Sequence, residues 1–325
     1  MALHISDSDN ARYFEEPRIP LRFMGFYVAT SFLTDAPAAF ESHPEYHSSK
    51  RNQYLKKIIG DWNINIAALV EFSPAQAQFI SENFPGHNFV GYFSETEDSY
   101  EDTMKKIAAD PEHIKCVGEC VGFLISKNIT IISKVCERMA PGPRHKRIAV
   151  VVDIACGSGK VVRLVSTHLD HISRESRQKS LDKLAAIVSV SSFPIIMYGD
   201  FNLFPDDGGE EDYTKFMEYT ELVDAMLVNH TGPHGTVCGF AGQLEKFMPK
   251  IETHPKNGKK YIPNSNRLDL ILVSNSVKIR GSRSVVSVVE SDTNKIYYGN
   301  WYEKYSELFE RRQFPSDHLP QIIEF

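Results

Sequence analysis

Apolar and polar positions along the chain fall into two recurring patterns. Short runs rich in Val, Ile and Phe occupy residues 21–29, 66–70, 120–125, 129–135, 147–154, 161–167, 195–198, 268–273, 284–289 and 319–325. Their β-branched and aromatic content predicts strands. Elsewhere the spacing lengthens to that of a helix. Ser73 followed by Pro74 is a start signal, an N-cap with proline in the first turn; Ala77, Ile80 and Phe84 then share a face, and Gly86 ends it. A second helix opens after Ser173, with Leu181, Leu184, Ala185 and Val188 as its buried stripe and Arg177 in phase one turn earlier. Asn128 and the Gly157-Ser158-Gly159-Lys160 segment read as hairpin turns. Strands that both alternate with helices and pair locally predict mixed sheets covered by helices, not an all-parallel sheet. Residues 1–20 are a polar lead-in, and no linker or internal repeat divides residues 21–325, so a single domain is expected there.

Composition narrows the class. With 42% hydrophobic and 24% charged residues, the chain has the balance of a globular protein. A formal net charge of −6 argues against wide, non-specific nucleic-acid binding, which needs many cations facing phosphates, but leaves room for a local basic cleft. The cysteines, at 116, 120, 136, 156 and 238, are odd in number and show no disulfide spacing, which fits a reducing compartment. His113, Cys116 and Cys120 lack an evident fourth ligand, so packing is the reading preferred to zinc. The start of the chain carries no basic region followed by an apolar run, and no apolar run approaches the length of a membrane helix. A cytoplasmic location follows as an expectation, and the sequence sets no oligomeric state.

Several predicted strands end in, or begin beside, residues suited to catalysis, and strand ends are where open α/β sheets place their ligand sites. Residues 67–70 lead to Glu71. Residues 165–167 lead to His168, Asp170 and His171. The run at 194–198 stops at Gly199-Asp200-Phe201-Asn202, where an extended chain would project Asp200 and Asn202 to one side. Arg267 and Asp269 open another run, and Ser316-Asp317-His318 precedes the last. An Asp–His pair formed in space would hold the imidazole in one tautomer and favour its charged form. Each segment alone is compatible with a solvated loop or an ordinary turn; their joint order carries the signal.

In that order the chain resembles the endonuclease/exonuclease/phosphatase superfamily, which includes pancreatic-type deoxyribonucleases, abasic-site endonucleases, deadenylases, neutral sphingomyelinases and inositol-polyphosphate 5-phosphatases. Gly199-Asp200-Phe201-Asn202 and Ser316-Asp317-His318 are the most specific matches. Thr167-His168-Leu169-Asp170-His171 with Arg177, and Gly235-Thr236-Val237-Cys238-Gly239-Phe240 before Arg267-Leu268-Asp269, extend the likeness. The resemblance implies an α/β (α+β) four-layer sandwich, two packed mixed β-sheets flanked by helices. It implies a magnesium-dependent phosphoesterase, with manganese as a substitute ion. Glu71 and Asp317 would serve the metal, Asp200 would take a proton from the attacking water, and Asn202 would orient that water or the phosphate. Asp269 would pair with His318, and His168 would donate to a non-bridging oxygen. His171, Arg177, Arg147, Glu119 and Arg267 would line the phosphate pocket, although a buried ion pair is the competing reading for Arg177. Family members usually carry Asn near the end of the first strand as a metal-side ligand; this chain has Tyr27 there, a poor magnesium ligand when neutral whose phenol would hydrogen-bond a metal-bound water, and Tyr27 is counted among the substrate-side residues.

Other readings compete. Val152-Asp153-Ile154-Ala155-Cys156-Gly157-Ser158-Gly159 looks like the first motif of S-adenosylmethionine methyltransferases, but the β-branched run after it suits a strand and not the required helix. A family fold that only binds a partner is motivated by Tyr27. His230 and His234 have helical ligand spacing, but Gly232-Pro233 breaks a helix there. The aromatics Tyr297, Tyr298, Trp301, Tyr302, Tyr305 and Phe309 suggest an inserted lobe. The expected substrate is a phosphate ester: a phosphodiester of a nucleotide or nucleic acid first, a lipid or sugar phosphate next.

Overall fold

A computed structural model describes residues 21–28, 48–156, 160–204, 207–228, 230–231, 252–253, 260–261, 267–284, 287–290, 296–298, 312–313, 318 and 320–325. Two mixed sheets face each other. The first takes β1 (Arg22–Tyr27), β2 (Ile66–Phe72), β3 (His87–Phe93), β4 (Cys120–Ser126), β10 (His230–Thr231), β14 (Gly281–Ser284) and β18 (Gln321–Glu324), in the order β10-β14-β18-β1-β2-β4-β3. The second takes β5 (Thr130–Arg138), β6 (Ile148–Cys156), β7 (Lys160–His168), β8 (Ile195–Asp200), β9 (Val223–Asp224) and β13 (Asp269–Val273), in the order β5-β6-β7-β8-β13-β9. Helices α1 (Ser48–Asp61) and α2 (Pro74–Asn83) pack outside the first sheet, and α4 (Arg174–Ser189) and α5 (Gly209–Thr220) outside the second. A further helix, α3 (Tyr100–Ala109), follows β3.

The layering follows from alternation. Phe23, Ile66, Val70, Phe123, Val150, Leu164, Ile196, Tyr198 and Ile271 point between the sheets and form the central core. Their strand neighbours face outward, Met24, Leu69 and Phe72 against Leu55, Ile58 and Ile80, and Val165, Met197 and Leu270 against Leu181, Leu184 and Phe216. Each such side chain contributes about 1.5–3 kcal/mol on burial, which fixes both the spacing and the order of the layers. α2 starts as expected: Ser73 Oγ accepts from Gln76 N at 3.3 Å while Gln76 returns a bond to Ser73 N at 2.9 Å, a capping box ahead of Pro74.

Three expectations change, and the reading of the cysteines does not. Asn128 is not a hairpin turn. β4 already pairs with β2 on one edge and β3 on the other, so the chain after it crosses to the second sheet, where β5 pairs with β6. The run at 284–289 is divided between β14, in the first sheet, and β15 (Ser287–Glu290), which joins β16 (Ile296–Tyr298) and β17 (Arg312–Gln313) in a small separate sheet. Apolar content does not say which sheet a strand enters. Residues 87–93 form β3, missed although Phe89, Val90, Tyr92 and Phe93 have strand character, and α1, α3 and α5 were not anticipated. His113, Cys116 and Cys120 form no ligand cluster among the described residues: Cys116 is exposed, and Cys120 is buried on the helix side of the first sheet. The second proposed hairpin does close, since Cys156 pairs with Lys160 across β6 and β7, and the strand after the glycines excludes the methyltransferase geometry. Of the aromatic stretch, Tyr297 and Tyr298 lie in β16, and residues 299–311 fall outside the described residues. No helix among the described residues is long and apolar enough to cross a membrane.

Candidate active site

The residues singled out by sequence collect at one end of the sandwich. Strands running towards that end contribute residues at their ends: Tyr27 from β1, Glu71, next to last in β2, His168 from β7 and Asp200 from β8. Strands running away contribute the residues at their starts, with Glu119 just before β4, Arg147 just before β6 and Asp269 opening β13. On the second sheet the placement is a matter of register. His168 pairs with Asp200, and Asp200 with Asp269, so the three stand side by side on adjacent strands. All three share the inward phase of Leu164, Tyr198 and Ile271.

The first sheet needs a special device. Alternation from Ile66, Ala68 and Val70 would turn Glu71 towards the helices. Instead Glu71 has φ +53, a left-handed conformation, and the β2–β4 register shifts between Leu69 and Phe72. This bulge sends Phe72 into the helix-side core and brings the Glu71 carboxylate to the cleft, where Tyr27 Oη donates to its Oε2.

Two clusters result. In one, His318 Nδ1 bonds Asp269 Oδ2 at 2.7 Å, and Tyr198 Oη donates to Asp269 Oδ1 at 2.9 Å. Burial, and then the Asp269 charge, push the Tyr198 phenol far up, so it stays a neutral donor. Gly25 makes room for it: a Cβ there would lie 2.1 Å from Tyr198 Cδ2. In the other, Glu119 crosses from the first sheet to accept from His168 Nδ1 at 2.8 Å and Arg147 Nη1 at 2.6 Å. With Nδ1–H donating to Glu119, the 3.2 Å approach of Arg147 to the same nitrogen is a contact and not a hydrogen bond. His168 Nε2 then faces Asp200 Oδ2 at 3.8 Å and joins the clusters. Tyr27 also links them, stacked on His318 at 4.0 Å and edge-on to His168 at 5.7 Å.

Burial makes these charges consequential. The Asp200 carboxyl is raised above its ordinary value by burial and by Asp269, beyond the opposing pull of His318 and His168. Burial also works against the Glu119 charge, but the His168 and Arg147 cations outweigh it and hold Glu119 low. Burial disfavours the charged His168 ring, yet Glu119, helped by Asp200, raises it overall against the Arg147 charge. His171, which meets Arg147 Nη2 at 3.4 Å, is lowered by burial and by that guanidinium.

Three candidates serve the frame of the site, Arg177 in the ion-pair role preferred for it. Asn202 is not extended: its φ is +50, its N–H donates to Asp200 Oδ1 at 2.9 Å, and its amide donates to Leu169 O at 3.0 Å. It ties the loops after β7 and β8 together, a turn Asn tolerates because its short side chain bonds locally. Arg177 is fully buried in the structural role that competed with substrate contact, bonded to Asp170 O at 3.0 Å and to Asp207. Arg267 is paired with Asp224. Asp317 and His234 lie outside the described residues. What sequence missed is the role of Glu119 as the partner of His168, because nothing local marks a glutamate before β4 as the neighbour of a histidine in the opposite sheet.

The ligand atoms of Glu71, Glu119 and His168 lie within 4.8 Å of one another, as do those of Asp200, Asp269 and His318. Carboxylate-rich donors of this kind fit a hard divalent cation such as Mg²⁺ or Mn²⁺. Within the first group Glu119 is bonded to Arg147 and His168, and Glu71 to Tyr27.

Comparison with known proteins places the fold. The sequence profile described as "Endonuclease/Exonuclease/phosphatase family" matches residues 39–318. No curated protein matches the chain by sequence. Among solved structures, a mannosyl-6-phosphatase from Bacteroides thetaiotaomicron is similar at TM-score 0.66 and 16% identity, over 93% of this chain and 98% of that one. The human Nocturnin catalytic domain with bound sulfate gives 0.57 and 17%, over 94% and 92%. D. rerio TDP2 in complex with a single-strand DNA product gives 0.56 and 14%, over 94% and 98%.

Proposed function

Because the chain belongs to the endonuclease/exonuclease/phosphatase family, whose members generally hydrolyse phosphate esters, we propose that this cleft is a metal-dependent phosphoesterase site. The observation that carries the reading is the in-register row His168, Asp200 and Asp269, with His318 bonded to Asp269 and Glu71 brought to the same cleft by its bulge.

Phosphoryl transfer asks the protein for a positioned water and fixed donors around the phosphate more than for covalent chemistry. Asp200, whose raised pKa makes it a stronger base than an exposed aspartate, accepts the proton of the attacking water. The water oxygen bonds phosphorus as the ester P–O bond breaks. His318, fixed through Nδ1 by Asp269, turns Nε2 towards a phosphate oxygen; His168, fixed through Nδ1 by Glu119, does the same from the other side. Asn202 braces the turn that aims Asp200. Arg147, buried beside His168, supplies positive charge to the cleft, and His171, lowered by burial and by that guanidinium, stands next to it as a neutral ring. Glu71, with Asp317, would hold Mg²⁺ or Mn²⁺, which supplies charge neutralisation and Lewis acidity when bound.

Two substrate classes are supported, each through neighbours of the same fold: phosphodiesters of nucleotide or nucleic-acid type, through TDP2 with its single-strand DNA product, and sugar phosphates, through the mannosyl-6-phosphatase. The test is a panel of single-stranded DNA and RNA, abasic duplex, small nucleotides, sugar phosphates, phosphoinositides and sphingomyelin at fixed Mg²⁺. One substrate or more should be turned over, and turnover should stop with EDTA. Asp200→Ala and His318→Ala should each lower kcat by about 10²–10⁴-fold. Activity that survives EDTA, or survives Asp200→Ala, removes this mechanism.

A further inference from the structure

Tyr27 touches both halves of the cleft. Its hydroxyl donates to Glu71 Oε2. Its ring lies parallel to the His318 imidazole, 12° between planes and 4.0 Å between centroids, and meets His168 edge-on. It is buried, at 8% exposure, at the end of β1, and its backbone is locked beside β2 by the pairing of Tyr27 with Val70. It therefore cannot swing away without disturbing the strand that carries Glu71.

We propose that Tyr27 is a positioning residue with two separable duties: its hydroxyl orients the Glu71 carboxylate for a divalent cation, and its ring fixes the plane of the His318 imidazole. This deepens the phosphoesterase reading, rests on it, and replaces the expectation of a substrate-side residue. The hydroxyl duty follows from the chemistry of carboxylate ligands. A carboxylate on a left-handed bulge can rotate about its side-chain bonds, and each lost orientation weakens an ion that it must meet from one direction. A donor bonded to one oxygen fixes that rotation, as outer partners of metal ligands do. The ring duty follows from how His318 is held. The bond to Asp269 pins Nδ1. The parallel Tyr27 ring, 4.0 Å away between centroids, holds the imidazole plane, so Nε2 keeps one direction. The arrangement also explains how a neutral phenol serves where the family carries a direct amide ligand, since it acts through Glu71 and need not bind the ion.

Two substitutions separate the duties. Tyr27→Phe keeps the ring and deletes the hydroxyl; Tyr27→Leu deletes both. Binding of Mn²⁺ alone, followed by electron paramagnetic resonance or calorimetry, reads the hydroxyl duty without any substrate. Tyr27→Phe should weaken Mn²⁺ roughly tenfold. Tyr27→Leu should show the same Mn²⁺ loss and, in addition, a kcat roughly tenfold lower that saturating metal does not restore. Thermal unfolding of each variant confirms that it folds, and Tyr27→Phe preserves the packed volume if Tyr27→Leu does not fold. Wild-type Mn²⁺ affinity in Tyr27→Phe overturns the hydroxyl duty, and wild-type kcat in a folded Tyr27→Leu overturns the ring duty. A wild-type protein that binds no Mn²⁺ and cleaves nothing in the panel overturns the phosphoesterase reading itself, a result distinct from either.

Discussion

On the six-stranded sheet, His168, Asp200 and Asp269 reach the cleft because plain alternation and register put them there; on the seven-stranded sheet, Glu71 reaches it only through a left-handed residue that breaks the alternation. The electrostatics differ as well. Asp200 is buried beside another carboxylate and is pushed towards its neutral form, whereas Glu119 is buried between two cations and is held charged. One side of the cleft thus stores cost and the other side offsets it. A general base profits from being uncomfortable when ionised, and a residue that orients an imidazole profits from remaining an anion.

The sharpest way to break this comparison is at the bulge. A non-glycine residue at φ +53 carries strain of about 1 kcal/mol or more, and a glycine at position 71 would keep the bulge without that strain but lose the carboxylate. Glu71→Gly should therefore lower activity by on the order of 10²-fold while leaving Tm unchanged or about 2 °C higher. A large drop in Tm would mean that the Glu71 side chain, and not its backbone, holds the end of β2. A smaller effect is expected where the sheets touch. Gly25→Ala places a methyl group against the Tyr198 ring, and since neither strand can withdraw, it should cost about 1–3 kcal/mol, read by denaturant unfolding. An unchanged midpoint would show that Tyr198 can leave Asp269 freely.

The smallest effect tests the charge contrast. For Asp200 the folded pKa lies above the ordinary 3.8. Its ionisation therefore weakens the fold once the pH has risen through the folded value, and that penalty is absent below the ordinary one. For Glu119 the folded pKa lies below the ordinary 4.5. Its stabilisation is present above that value and is lost as the pH falls through the folded one. With EDTA present, Asp200→Asn should raise Tm at neutral pH and Glu119→Gln should lower it, both differences shrinking in acid. Shifts of the same sign would end the distinction between the two sides.

The strand ends were legible because strand alternation and the chemistry of isolated carboxylates and histidines are local properties. Asp200 and Asp269 needed only a sheet to bring them together; His318, which precedes β18 of the other sheet, meets Asp269 across the gap, the pairing that the family resemblance implies. The Asn202 turn was misread because Asp200 and Asn202 look like two steps of a strand; the local bond from Asn202 N to Asp200 decides otherwise. Arg177, in phase with the apolar face of α4, had its partner out of view, since Asp207 lies in the next loop of the fold.

By itself the sequence determined most of the strands, though not β3, that helices cover the sheets, and which polar groups stand at strand ends, because each is set by neighbours a few residues away. Tertiary structure alone decided that β4 lacks a free edge for β5, that Glu119 answers His168 across the gap between sheets, and that Tyr27 lies on His318 while holding Glu71. Those are contacts between residues far apart in the chain, and only the packing of two sheets at a fixed register brings them within reach of a hydrogen bond.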